Sequence, residues 1–471
     1  MYTWTLADLV HVTRGRLLSG QASARVSSVS TDTRTLQPGD LFIALRGEQM
    51  DGHQFVSTAL QRGAAAVLVS DAQALPAVSR LPAATPPGVI LVHDTLQAFQ
   101  ALALARRQRF PGTVVAITGS NGKTTVKEMS AAVLQQRLRT YKAPGNLNNH
   151  IGVPLALLQL DDSHEVAVLE MGMNHLGEIR QLCAMALPHI GVITNIGLAH
   201  VGYLGSIAAI QQAKGELIEA LDTSSTAIVN ADDPRALALG QRAAGRVLTF
   251  GLGTGADVRG RIEADRGLEG VLGTLCLEHR EYPLHLPVPG AHQMLNALAA
   301  AAVGVALGLS AADILAGVQS YHGTYGRLAV KRGQAGVRLI DDTYNASPQS
   351  MQAALHCLAR TRVQGQRLAI LGDMLELGES GPALHADIGA LVARSGVQQL
   401  ITYGPLAQHI AQGAQDAGMD AERIHRTSRQ EEVLTVLAPL LRSGDIVLVK
   451  GSRGMAMERL VQALVAREGG E

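Results

Sequence analysis

The stretch Val114–Val126, Val-Val-Ala-Ile-Thr-Gly-Ser-Asn-Gly-Lys-Thr-Thr-Val, constrains this chain more than any other. A buried-type apolar run breaks into a glycine turn and then opens a helix. Backbone N–H groups in such a turn converge on phosphate oxygens, aided by the free N–H groups at the helix start. In that pattern Lys123 neutralises the β- and γ-phosphates, and the Thr124 hydroxyl sits on Mg²⁺. The usual phosphate loop, G-x-x-x-x-G-K-[ST], has glycine where this chain has Ile117. The loop is therefore the shorter Gly119-Ser120-Asn121-Gly122-Lys123-Thr124. A strand–turn–helix with an incidental lysine is the competing reading, and Gly-Lys-Thr after a wholly apolar strand weighs against it.

Lysines and arginines total 40, as do aspartates and glutamates, so no net field draws in nucleic acid or an acidic membrane surface. Aromatics make up only 3% of the residues, which further disfavours base stacking. No basic, apolar leader is visible at the start. The longest apolar run, Ala297–Leu309, is about 13 residues, short of the roughly 20 that span a bilayer. Cys183, Cys276 and Cys357 are too few and too scattered for a disulfide framework or a zinc site. A soluble cytoplasmic enzyme without membrane insertion is expected.

The pattern of elements divides the chain at 1–111, 112–328 and 329–471. The first part is mixed α/β, with Val26–Arg34 reading towards a strand, a turn at Leu36–Asp40, a helix over Phe55–Arg62 and a Pro-rich loop over 81–88. Thr95–Arg109 has helical periodicity, and Pro111-Gly112 reads as a hinge. From Thr113 strands alternate with helices, which predicts a doubly wound, mostly parallel sheet carrying the phosphate loop. A β-rich insert near Asp257–Pro289 and an Ala-rich helix over Asn296–Leu309 follow. The third part repeats the alternation, without the G-x-G-x-x-G dinucleotide fingerprint.

Ligands of open α/β sheets sit at the carboxyl ends of the strands. Glu170 falls there and suits Mg²⁺, or is a solvated strand-end acid. His200 alone reads as a structural loop histidine, and Lys214 alone as a surface lysine on the helix Ile207–Leu221. Asn146, Asn148 and Asn149 suit a polar, amide- or sugar-bearing ligand, or ordinary turn chemistry. Asp341–Pro348 and Lys450–Glu458 are polar clusters after strands of the third part, and both can face one cleft. Arg327 at the junction can reach a phosphate or cap a helix.

Thr118–Thr125, Glu170, His200 and Lys214 together resemble the Mur ligase family, and the resemblance runs nearly end to end. The missing first glycine of the loop is normal in that family. Further motifs sharpen the match: Ser30–Arg34, Gly145–Asn149, Ala213–Glu216, Asp341–Asn345, Leu371–Gly378 and Val449–Arg453. The resemblance implies three domains: an N-terminal one holding a UDP-sugar, a central ATPase and a C-terminal Rossmann-like domain. The activity implied is ATP-dependent amide ligation of D-alanyl-D-alanine to UDP-N-acetylmuramoyl-tripeptide in peptidoglycan precursor synthesis. It implies two Mg²⁺ ions, with Thr124 on the nucleotide-bound one and Glu170, His200 and a carbamylated Lys214 at the other metal-site positions. Asn296, Arg327 and Asp342 match ATP-contacting positions. Asp32 and Arg34 lie in the motif associated with the UDP part, and Asn146, Asn148, Asn149, Tyr344 and Asn345 are expected at substrate. A monomer is expected. Another amide ligase of the superfamily, either an earlier Mur ligase or a folylpolyglutamate synthase, and a nucleotide-driven switch or transport ATPase are the competing readings.

Overall fold

The computed structural model describes residues 3–47, 50–71 and 86–465, so most of the Pro-rich stretch lies outside the described residues. Three large sheets follow one another along the chain. The first has five short strands in the order Arg16–Ser19, Gly88–Leu91, Ala66–Val69, Leu41–Ile43 and Val29–Ser30. The stretch 26–34 is not one strand. It gives two-residue strands at Arg25–Val26 and Val29–Ser30, and then turns because the Asp32 carboxylate accepts the Arg34 backbone N–H at 2.8 Å.

The central sheet has nine strands, and Thr113–Thr118 lies inside it between Val166–Glu170 and Ile190–Ile193, parallel to both. Val114, Val115, Ala116 and Ile117 are fully buried, because helices cover both faces of a parallel sheet. Sequence order reverses on either side of this strand, which makes its carboxyl end the switch point where such sheets bind ligands. The insert supplies the antiparallel strands Val258–Asp265, Val271–Leu277 and Arg280–Leu286 at one edge. The Ala-rich helix runs His292–Ala306, a turn earlier than its apolar residues suggest, and packs on the phosphate-loop helix Lys123–Leu134 in one core cluster.

The helix Thr95–Arg109 joins the first sheet's domain to the central one. Fully buried Arg106 donates from Nε to the Leu160 carbonyl at 3.1 Å, and Arg107 donates from Nε to the Ala186 carbonyl at 2.6 Å. Pro111-Gly112 is thus a tight junction rather than a hinge. A Cβ at Gly112 would come within 2.5 Å of the Glu165 carbonyl oxygen.

The third sheet has six strands, with the parallel strands Arg338–Asp342, Ile446–Lys450, Arg367–Gly372 and Gln399–Tyr403 adjacent at its centre. Their carboxyl ends face the phosphate loop across the domain junction. Contact is direct there: the Ser347 hydroxyl donates to Asn121 Oδ1 at 2.9 Å, and the Gly202 N–H donates to the Glu376 carbonyl at 2.8 Å.

Candidate active site

The phosphate loop is shaped by two glycines. Gly119 and Gly122 have φ of 150° and 84°, and a Cβ at Gly122 would lie 2.5 Å from Asn296 Oδ1. The next strand props the loop from beneath. The Thr194 hydroxyl donates to the Asn121 carbonyl at 2.6 Å, and Asn195 Oδ1 accepts the Asn121 N–H at 3.0 Å. Asp233 in turn accepts the Ile196 N–H at 2.6 Å while capping its own helix, Pro234–Gly240. Half-buried Lys123 folds back so that Nζ donates to the Gly119 carbonyl at 2.9 Å. Burial lowers its pKa from the ordinary lysine value, and Glu170 opposes that shift.

Behind the loop the Thr124 hydroxyl donates to Glu170 Oε2 at 2.8 Å and accepts from Arg327 Nη2 at 3.0 Å. The other Glu170 oxygen accepts from Asn148 Nδ2 at 2.8 Å. Arg327 Nε is buried without a hydrogen-bond partner among the described residues, and the guanidinium stacks 4.3 Å from the Tyr344 ring centroid. A hydroxyl and a carboxylate oxygen held together beside a phosphate loop form a hard-oxygen pair that fits one Mg²⁺.

Sequence reasoning missed Lys127, one helical turn after Lys123. It is fully buried, and its Nζ donates at 2.7 Å to both the Ala143 and the Gly145 carbonyls. This side chain sets the start of the asparagine loop whose Asn148 reaches Glu170. Lys127→Met leaves both carbonyls and the adjacent Glu128 carboxylate short of a partner. A loss of about 2–4 kcal/mol is expected, read as a lowered urea midpoint. A midpoint equal to wild type would remove Lys127 from this role.

The loop, Glu170 and the third domain enclose a cavity of about 770 Å³. Ser120, Asn121, Gly122, Lys123 and Thr125 line its central-domain side, with Asn296 beside them. Asn146, Asn148 and Asn149 line it as well, although Asn149 Oδ1 is engaged with the Ile151 and Gly152 N–H groups in turn chemistry. Arg327, Asp342, Tyr344 and Asn345 form the facing wall. Asp342 Oδ1 accepts the Leu328 N–H at 3.1 Å, and its Oδ2 pairs with Lys450 Nζ at 2.6 Å.

Of the other expected residues, one reaches the cavity and three do not. His200, in the left-handed region at φ 64°, lines the cavity. Its Nδ1 lies 2.7 Å from Glu376 Oε2 on the third domain. That contact lowers the Glu376 pKa from its ordinary value. Lys214 is 1% exposed on the helix Ile207–Glu219, behind the cavity wall, with no hydrogen bond or ion pair among the described residues. Burial, and then the Lys123 charge, push its pKa well below the ordinary value. No cluster of three or more His, Cys, Asp or Glu side chains suited to a metal occurs among the described residues. Asp32 and Arg34 form an exposed ion pair of 2.7 Å on the first domain, away from the cavity. No helix among the described residues is long and apolar enough to cross a membrane.

A glycine-turn phosphate loop at a sheet switch point, facing a third α/β domain across one cavity, defines a nucleotide-dependent α/β enzyme. Comparison with known proteins makes the class specific. Residues 117–304 match the Mur ligase middle domain, 326–453 the Mur ligase glutamate ligase domain, and 25–107 the catalytic domain of the Mur ligase family. The chain is 37% identical over 462 residues to the UDP-N-acetylmuramoyl-tripeptide–D-alanyl-D-alanine ligase of Bacillus subtilis, covering 98% of both chains. It is 36% identical to the enzyme of that name from Escherichia coli, covering 98% of this chain and 99% of the other. A crystal structure of MurF from Acinetobacter baumannii superposes with a TM-score of 0.87 at 33% identity, covering 98% of this chain and 99% of that one. MurF ligase from Thermotoga maritima in complex with ADP gives 0.78 at 28% identity, covering 93% and 96%. The chain belongs to the Mur ligase family.

Proposed function

We propose that this chain joins D-alanyl-D-alanine to UDP-N-acetylmuramoyl-tripeptide, forming ADP and phosphate through an acyl-phosphate intermediate. As a Mur ligase it is an ATP-dependent, ADP-forming amide ligase. One observation carries the reading: a phosphate loop and a polar wall from a separate α/β domain line the same cavity. An enzyme that must phosphorylate one substrate and present a second to it needs that arrangement. The full-length likeness to ligases named for this reaction supplies the substrates.

We assign 1–111 to the UDP-sugar domain, 112–328 to ATP and 329–471 to the C-terminal ligase domain. Gly119–Thr125, Asn296, Arg327 and Asp342 serve the nucleotide. Asp32 and Arg34 serve the UDP part, with the asparagine loop, Tyr344 and Asn345 at peptide substrate. The enzyme acts as a cytoplasmic monomer. A peptide carboxylate is a poor acyl donor, so its oxygen first attacks the γ-phosphorus and the bond to ADP breaks. The dipeptide amine then attacks the resulting carbonyl. The tetrahedral intermediate expels phosphate with the C–O electron pair, and the amine loses its proton. Lys123 and Arg327 offset charge as it builds up on the transferring group, and positioning supplies most of the remaining acceleration. Thr124, with Glu170 beside it, would serve the nucleotide-bound Mg²⁺, and Glu170, His200 and a carbamylated Lys214 the second, and the ions would supply charge neutralisation.

The test is ADP release with D-alanyl-D-alanine, L-alanine and single diamino acids, each paired with UDP-muramoyl peptides of every length. Turnover is expected only with the dipeptide and the tripeptide donor. ADP release with a single amino acid would assign the chain to another ligase of the superfamily. ATP turnover independent of any amine would make it a switch or transport ATPase.

A further inference from the structure

We infer that Arg453 binds the terminal carboxylate of the acceptor dipeptide and so selects a free-acid acceptor. The assignment rests on the dipeptide ligation proposed above. The acceptor has two ends of different chemistry. Its amine must reach the activated carbonyl, while its carboxylate takes no part and enters the cavity still charged. A carboxylate held on the cavity wall is best met by a cation with free donors, even one as exposed as Arg453.

Four lysines and arginines line the cavity: Lys123, Arg327, Lys450 and Arg453. Three of them are already engaged. Lys123 is folded onto the loop carbonyls, Arg327 donates to Thr124, and Lys450 is paired with Asp342. The guanidinium of Arg453 has no hydrogen bond or carboxylate partner among the described residues. Its only partner there is the Tyr344 ring, 5.8 Å from the guanidinium carbon to the centroid. A guanidinium offers a planar fork that matches a carboxylate with two parallel hydrogen bonds.

The surroundings fit the rest of the dipeptide. Leu375 also lines the cavity, is 38% exposed, and sits against Gly454, where a Cβ would meet its Cδ1 at 2.9 Å. An exposed leucine beside a free guanidinium suits a small ligand that carries methyl groups next to a carboxylate. Arg327 stacks on the same Tyr344 ring and is bonded to Thr124 of the phosphate loop. Two residues span roughly 7 Å when extended. An acceptor held at Arg453 therefore extends its amine towards the loop side of that ring. The donor enters elsewhere: the asparagine loop is tied to the first domain by Gln100, whose Nε2 donates to the His150 carbonyl at 3.1 Å.

The experiment compares D-alanyl-D-alanine with its C-terminal amide, D-alanyl-D-alaninamide, in the wild type, R453Q and R453K. Wild type is expected to favour the free acid in kcat/KM by about tenfold to hundredfold, the worth of a charge-assisted pair. In R453Q that ratio falls to near one, and R453K keeps part of it. The amide serves as the internal control for folding, since it needs the rest of the site but not the guanidinium. A ratio preserved in R453Q would overturn the assignment, as would a wild type indifferent to the amide. So would a loss confined to the KM for ATP or for the nucleotide-sugar peptide. Wild-type protein that releases no ADP with the free dipeptide sinks the ligase reading itself, and this assignment with it.

Discussion

Lys123→Ala is expected to reduce ADP formation by at least about a thousandfold while leaving the fold intact. The structure separates the two effects. Among the described residues, Nζ of Lys123 bonds only to the Gly119 and Ser120 carbonyls, at 2.9 and 3.4 Å, on a half-buried loop that Thr194 and Asn195 prop independently. Removing the ammonium therefore costs little packing. Its chemical role differs in scale, because charge accumulates on the γ-phosphoryl oxygens as the bond to ADP lengthens. Within a cavity walled by protein, a positive group at that place is worth far more than it would be in water. The burial that lowers the pKa of Lys123 is opposed by Glu170, and a polyphosphate would oppose it further. Circular dichroism and the thermal midpoint check the fold, and a coupled ADP assay checks the rate. Turnover near the wild-type level would show that the loop does not grip the transferred phosphate.

The phosphate loop was legible because its signal is local: an apolar strand, glycines, a lysine and a helix start lie within a dozen residues. The three-part alternation was legible for the same reason. What escaped are contacts that join distant residues. Lys127 lies one turn after Lys123 and looks like any helical lysine, until the chain places the Ala143 and Gly145 carbonyls at its tip. Ser347 meets Asn121, and Glu376 meets His200, only because the third sheet faces the second. Local chemistry also decided against some sequence readings. The Asp32 carboxylate turns the chain within Val26–Arg34 and ends the expected strand. Pro111-Gly112 reads as a hinge until Arg106 and Arg107 fix the preceding helix to the central domain. Asp342 lines the cavity, and its contacts with the Leu328 N–H and with Lys450 on the neighbouring strand join residues too far apart in sequence to be read there.

Lys214→Ala is expected to cut ligation by at least about a hundredfold, and acetate or formate to restore part of it. A lysine that is 1% exposed, without a hydrogen bond or ion pair among the described residues, is an expensive group to keep charged. Burial and the neighbouring Lys123 charge both lower its pKa, so the neutral amine is favoured. The neutral amine is also the form that attacks CO₂, giving a carbamate and releasing a proton. Carbamylation would turn that neutral amine into an anion that carries two hard oxygens, which the Lys123 charge and a metal cation would both offset. The alternative, a lysine kept neutral for packing alone, makes a different prediction. Methionine would then serve as well as lysine, and added carboxylate would do nothing. Rates of Lys214→Ala and Lys214→Met, with and without short carboxylates, separate the two. Full activity in Lys214→Met would leave the residue a packing element and remove it from the metal site.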